Sequence, residues 1–359
     1  MRPRPSASAR SFGSAGWGAF LRSREPSAVI FGCAGPSLSP AERAFFRDAD
    51  PLGFILFKRN CESPDQVRAL VRELRATVDR SEAPVLIDQE GGRVARLQPP
   101  HWRRYPAPAT LGALGGERAR EAVHLVARLI ADDLAALGIT VDCLPVLDVP
   151  QPGADPVIGD RAYSHEPTEV ARLGQAACDG LLEGGVLPVI KHIPGHGRAS
   201  VDTHHALPRV AASRAELDAT DFAPFRALAA MPWAMTAHIV YTAVDSAAPA
   251  TLSPLVIREV IRGSMGFDGV LVSDDLSMNA LGGPIGGRAA RALAAGCDLA
   301  LHCNGDPVEM AAVAAAVMPL TPEARVRLDR AEARRSAPAA LDRRAGEARL
   351  EALLAGAAA

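Results

Sequence analysis

The chain has 359 residues, 48% hydrophobic and 22% charged, enough apolar material for one large α/β barrel or two average domains. A formal net charge of −2 leaves no basic excess to attract nucleic acid or an anionic membrane surface. The six cysteines (Cys33, Cys61, Cys143, Cys178, Cys297 and Cys303) lie in or beside apolar runs without a Cys-x-x-Cys pair, the pattern of buried free thiols in a reducing cytoplasm rather than of a disulfide framework.

Residues 1–27 are rich in Arg, Ser, Gly and Pro, and their apolar stretch from Gly13 to Leu21 is too short and glycine-rich for a signal peptide. They are expected to form a disordered extension, with the folded unit over 28–359. No apolar run is long enough to span a membrane, so a soluble, cytoplasmic protein is expected. Short apolar runs then alternate with helix-period segments. Strands are predicted over 28–32, 53–57, 85–87, 140–144, 188–190, 234–237, 270–272 and 299–301. Helices are predicted over 63–78, 117–137, 169–183, 214–229, 254–264, 287–295 and 307–317. Continuous apolar strands separated by helices imply a parallel sheet covered on both faces. Eight of them imply a single (β/α)₈ TIM-type barrel, and no Gly-x-Gly-x-x-Gly turn follows the first strand to favour a dinucleotide fold. The Ala-, Arg- and Glu-rich stretch after Thr321 reads as terminal helices without chemistry, and no second domain is visible after the barrel.

In such barrels chemistry sits at the carboxyl ends of the strands. The first polar residues there are Lys58, Asp88, Asp148, Lys191 with His192, His238, Asp274 with Asp275, and His302. One such residue is an ordinary loop charge; their repetition along one rim marks a polar pocket.

Four segments carry candidate chemistry. In Asp88-Gln89-Glu90-Gly91-Gly92-Arg93-Val94-Ala95-Arg96, an acid leaves a strand, two glycines permit a tight turn, and two arginines follow. Asp88 could accept hydroxyl hydrogen bonds from a sugar or make a structural salt bridge to Arg93 or Arg96, and the two readings weigh evenly. Lys191-His192-Ile193-Pro194-Gly195-His196-Gly197, continuing to Asp202-Thr203-His204-His205, concentrates four histidines and an aspartate in one loop. A metal site and an Asp202–His204 proton-transfer dyad both fit, although the histidine spacing matches no standard zinc pattern. In Val270-Leu271-Val272-Ser273-Asp274-Asp275, a buried strand delivers two adjacent carboxylates. Alternation along a strand gives them different roles, one facing the pocket and the other capping the next turn. A paired-Asp metal site is the rival. Ile158-Gly159-Asp160-Arg161 is weak on its own.

These segments, in this order, resemble glycoside hydrolase family 3, and within it the single-domain bacterial β-N-acetylglucosaminidases of cell-wall recycling. The resemblance runs from about Ala28 to Asn304 through DQEGGRVARL, PVLDV, IGDRAYS, KHIPGHG with DTH, MTAHIVY and GFDGVLVSDDLSMNAL. It implies a retaining glycosidase with Asp274 as nucleophile, His204 as acid/base and Asp202 as its partner. Asp88, Arg96, Arg161, Lys191 and His192 match positions that hold the N-acetylglucosamine unit. Two-domain relatives usually take a glutamate acid/base from a second domain; this chain carries the histidine dyad instead. Ile193 stands where phenylalanine is commoner and Thr203 where serine is, and neither change removes a reacting group. The implied substrates are muropeptide fragments bearing terminal N-acetylglucosamine on 1,6-anhydro-N-acetylmuramic acid. No cofactor, metal, nucleic acid, membrane or obligatory protein partner is expected. Other family 3 β-glycosidases, a glycoside phosphorylase and a non-catalytic sugar-binding barrel are the alternatives.

Overall fold

The computed structural model describes residues 25–203 and 206–355. The predicted extension therefore falls almost wholly outside the described residues, although Ser27 already opens the first strand. Eight strands form where the apolar runs stand: β1 (Ser27–Gly32), β2 (Pro51–Leu56), β3 (Val85–Ile87), β4 (Val141–Asp142), β5 (Leu187–Ile193), β6 (Trp233–Thr236), β7 (Val270–Asp275) and β8 (Leu299–His302). Each pairs in parallel with the next in sequence, and β8 returns to β1 to close the barrel. β4 is shorter than predicted, although Cys143 N still donates to the Ile87 carbonyl at 2.8 Å and the Leu144 carbonyl accepts from Val189 N at 3.1 Å.

The strands are apolar on both faces, and the two faces build separate cores. Ile30, Ile55, Leu86, Val189, Met235 and Val272 fill the barrel, while their neighbours Phe31, Leu56, Ile87, Ile190, Ala234 and Leu271 pack outward against the helices. Burying each of the larger of these side chains contributes roughly 1.5–3 kcal/mol before chain entropy is counted.

Helices alternate with the strands: α1 (Pro40–Ala49), α2 (Pro64–Thr77), α3 (Gly116–Ala135), α4 (Pro167–Glu183), α5 (Arg214–Ala219), α6 (Val256–Ser264), α7 (Ile285–Ala295) and α8 (Pro307–Ala314). α1 was not among the predicted helices. It buries only Phe46 but opens on a complete capping box, Ser39 with Glu42, followed by Pro40. The single helix expected over 214–229 is broken after α5, and a short turn of helix, Ala223–Ala227, resumes beyond it. Pro224 cannot donate to an uninterrupted helix, and buried Asp221 instead takes an ion pair from Arg198 at 2.6 Å. α6 is wound more widely than an α-helix, burying Val256, Ile257, Val260 and Ile261.

After Thr321 the predicted terminal helices appear. α9 (Pro322–Glu332) closes the amino-terminal end of the barrel, where Leu320, Ala324 and Leu328 join the inner core. α10 (Arg343–Ala355) lies against α3, with Arg349 paired to Glu121 at 2.7 Å and Arg343 to Asp132 at 2.9 Å. The six cysteines are free, and no helix among the described residues is long and apolar enough to cross a membrane.

Candidate active site

The carboxyl ends of the strands surround a cavity of about 390 Å³, within the usual range of small-molecule sites. Asp88, Arg96, Arg161, Lys191, His192, Asp202 and Asp274 all line it. Residues separated by up to about half the chain in sequence meet there because every strand ends at the same rim.

Its floor is an ion network. Lys191 Nζ lies 2.7 Å from both Asp88 Oδ1 and Glu90 Oε1. Arg96 donates to Asp88 Oδ2 at 2.8 Å, and Arg161 forks onto both Glu90 oxygens at 2.9 and 2.8 Å. Of the two partners considered for Asp88, Arg96 is the one it meets; Arg93 turns away to Asp160 at 2.9 Å. The turn that allows this contains Gly91 and Gly92, both at positive φ, and a Cβ on Gly91 would collide with the Pro106 carbonyl. Burial alone would raise the carboxyl pKa values, but the cations prevail. Lys191 and Arg96 hold Asp88 well below the usual carboxylate range, and Arg161 and Lys191 bring Glu90 down to about 2. For Lys191, burial works to lower the pKa, and the two carboxylates more than reverse it.

β5 carries Lys191 and His192 side by side into the same cavity. Strict alternation forbids this, but the ladder register with β6 shifts between Lys191 and Ile193. His192 Nδ1 meets Asp148 Oδ2 at 2.7 Å, while Asp148 Oδ1 accepts the backbone N–H groups of His192 (3.2 Å) and His196 (2.6 Å). The Asp148 contact places the proton on His192 Nδ1 and leaves Nε2 to face a ligand. The glycines of the following loop allow it to lie against the chain after β4: a Cβ on Gly197 would strike the Val149 carbonyl. The loop then reaches Asp202 and Thr203 at the cavity, and the Thr203 carbonyl accepts from Ala280 N at 3.1 Å. His204 and His205 lie outside the described residues.

Asp274 is 7% exposed at the end of β7. Its Oδ1 accepts the N–H of Asp275 at 2.8 Å. Burial works to raise its pKa, but the basic residues around it and that N–H bring it below the ordinary value, so it is ionised at neutral pH. Asp275 caps the turn as expected of the pair, although it too lines the cavity. Its oxygens accept from Ser277 N (3.0 Å), Ser277 Oγ (2.6 Å) and Cys303 N (3.2 Å), capping the turn and tying it to the end of β8.

Glu90 and His196 were not singled out from the sequence. Glu90 was hidden inside a turn motif whose outer members drew attention, and His196 within a loop already rich in histidine. Asp148 was visible as a strand-end acid, but its role depends on where His192 comes to rest. Burial takes His196 down to a pKa of about 4, leaving its ring neutral. Among the described residues, no group of three or more His, Cys, Asp or Glu side chains is arranged to hold a metal.

The sequence matches the model of the glycosyl hydrolase family 3 N terminal domain over residues 39–335. A β-hexosaminidase of Alkalilimnicola ehrlichii is 41% identical over 283 residues, covering 77% of this chain and 80% of the relative. Among solved structures, the family 3 β-N-acetylglucosaminidase of Paenibacillus sp. str. FPU-7 has a TM-score of 0.78 at 36% identity; the match covers 88% of this chain and 63% of that one. NagZ of Neisseria gonorrhoeae, solved with N-trifluoroacetyl-D-glucosamine, has a TM-score of 0.80 at 33% identity, covering 92% of this chain and 97% of its own.

Proposed function

Because the chain belongs to glycosyl hydrolase family 3, we propose that this glycoside hydrolase is a retaining exo-β-N-acetylglucosaminidase with Asp274 as nucleophile and His204, supported by Asp202, as acid/base. The observation that carries the reading is an ionised, buried Asp274 on the same cavity as Asp202 and a basic, hydrogen-bonding floor.

In the first step Asp274 attacks the anomeric carbon and the glycosidic C–O bond breaks. Imidazolium His204 gives its proton to the departing oxygen. In the second, neutral His204 takes a proton from water as that water attacks the same carbon, releasing Asp274 and the sugar with retained configuration. Asp202 stabilises the imidazolium, as a carboxylate behind a catalytic histidine does. Asp88, Arg96, Arg161, Lys191 and His192 hold the sugar hydroxyls and acetamido group. Of these, Asp88 keeps 13% of its side chain open towards a ligand, whereas Glu90 at 0% acts through Arg161 and Lys191. The proposed substrates are cytoplasmic muropeptide fragments carrying terminal N-acetylglucosamine on 1,6-anhydro-N-acetylmuramic acid. That choice rests on the family resemblance.

The test compares an aryl N-acetylglucosaminide with the matching aryl glucoside for the parent, Asp274→Ala and His204→Ala. The N-acetylglucosaminide should be strongly preferred, and Asp274→Ala should abolish its turnover in a folded protein. Appreciable turnover by Asp274→Ala removes the nucleophile assignment, and a preference for the glucoside removes the substrate.

A further inference from the structure

Behind Asp274 lies a set of polar side chains that no step of the proposed reaction uses. Thr236 ends β6, His238 follows two residues later, and Thr251 sits on a short helical turn (Ala250–Leu252) pinned when Ala250 N donates to the Ile239 carbonyl at 2.8 Å. All three side chains are fully buried. The contacts run in series. Asp274 N lies 3.3 Å from Thr236 Oγ1, which is 2.8 Å from Thr251 Oγ1, which is 2.7 Å from His238 Nδ1. His238 Nε2 ends the series 3.0 Å from the Asp275 carbonyl.

Counting protons gives the series a single direction. A carbonyl only accepts, so His238 Nε2 carries a hydrogen. Burial lowers the pKa of this imidazole, so Nδ1 of the neutral ring is an acceptor and Thr251 donates to it. The one hydroxyl proton of Thr251 could otherwise go to the Ala237 carbonyl at 3.1 Å, but that would leave two acceptors facing each other at 2.7 Å. Thr236 must then donate to Thr251 and accept from Asp274 N–H.

We propose that Thr236, Thr251 and His238 form a one-directional hydrogen-bond circuit, from the N–H of Asp274 to the carbonyl of Asp275, that positions the nucleophile. The inference rests on the reading of Asp274 as nucleophile. The backbone grip reaches the reacting atoms because Asp275 N–H donates to Asp274 Oδ1 at 2.8 Å. The opposite side of the strand end is fixed separately, where Leu301 N donates to Ser273 Oγ at 2.9 Å. In a water-excluded setting a complete chain of this kind rigidifies its members, and a broken one leaves polar groups unpaired. Thr236, Thr251 and His238 are positioning residues; none is assigned a contact with substrate.

The experiment measures kcat and KM for an aryl N-acetylglucosaminide in Thr251→Val and Thr236→Val, each beside its serine rescue, with Asp274→Ala alongside. Each valine keeps the shape and deletes the hydroxyl. The expected result is a kcat loss of about tenfold or more with little change in KM, recovered by Thr251→Ser and Thr236→Ser, since misplacing reacting groups by about 1 Å can cost 10²-fold. Folded valine variants with unchanged kcat, or a loss that serine does not restore, overturn the circuit. Nitrogen-15 NMR of the histidines in the parent gives a readout independent of variant folding. Neutral, Nε2-protonated His238 is expected near neutral pH, and an Nδ1-protonated or doubly protonated ring overturns the direction. Turnover surviving in Asp274→Ala overturns the nucleophile reading itself, whereas an inactive Asp274→Ala beside unaffected valine variants overturns the circuit alone.

Discussion

At the floor of the cavity, two carboxylates, Asp88 and Glu90, balance Lys191, Arg96 and Arg161, and Glu90 has no exposed side-chain surface. Removing it leaves Lys191 and Arg161, both largely cut off from water, short of a counter-charge. Glu90→Ala should therefore destabilise the fold by about 3–5 kcal/mol, read by denaturant unfolding. The pH dependence follows from the same network. The folded Glu90 has a pKa of about 2 against an ordinary 4.5, so its contribution is present above the unfolded value and fades as pH falls towards the folded one. Between those two values the melting temperature of Glu90→Gln should fall less steeply than that of the parent, and parallel slopes would remove Glu90 as a source. Asp274 is likewise depressed from 3.8. With a dinitrophenyl substrate, whose leaving group needs no proton, kcat/KM should stay flat from about pH 4 to 7. An inflection at the acidic end of that range would show that Asp274 titrates higher than its surroundings dictate.

At the level of elements, the strand ends deliver the side chains but the loops aim them. β5 sends Lys191 and His192 into one cavity through a register shift, and the loop that follows is held down by the close approach of Gly197 to Val149. Gly197→Ala forces that loop away from β4 and takes Asp202 with it. A fall in kcat/KM of about 10- to 100-fold is expected, with a stability cost of about 1–3 kcal/mol, and normal kinetics would show that the loop tolerates the shift. Little of this could be read from the sequence. The glycines announced a loop with special backbone needs, but not which backbone they approach. Likewise the two-residue alternation gave Asp274 and Asp275 different roles, but how Lys191 and His192 come to share one cavity could not be read from it, because a register shift has no sequence mark of its own.

For the whole molecule, a carboxylate nucleophile paired with a histidine acid/base needs no metal. Exhaustive chelation should leave turnover unchanged, and activity that vanishes and returns with zinc would overturn the dyad chemistry. All eight strands were legible from the sequence because each is an apolar run buried on both faces, and their alternation with helices leaves a closed barrel as the packing solution. The helices were legible where an apolar stripe marked them, but not at α1, whose capping box precedes a single buried residue, nor at the break before Pro224. Sequence by itself thus determined the barrel, the rim on which chemistry sits and most of the polar residues lining it, since these follow from local periodicity and from the direction in which every strand runs. The tertiary structure alone decided that Asp88 pairs with Arg96 and not Arg93, that Glu90 anchors Lys191 and Arg161 while Asp148 holds His192, and that Thr236, His238 and Thr251 stand behind Asp274. Those are contacts across the barrel, fixed by how strands tilt and loops fold back, and no local pattern in the chain records them.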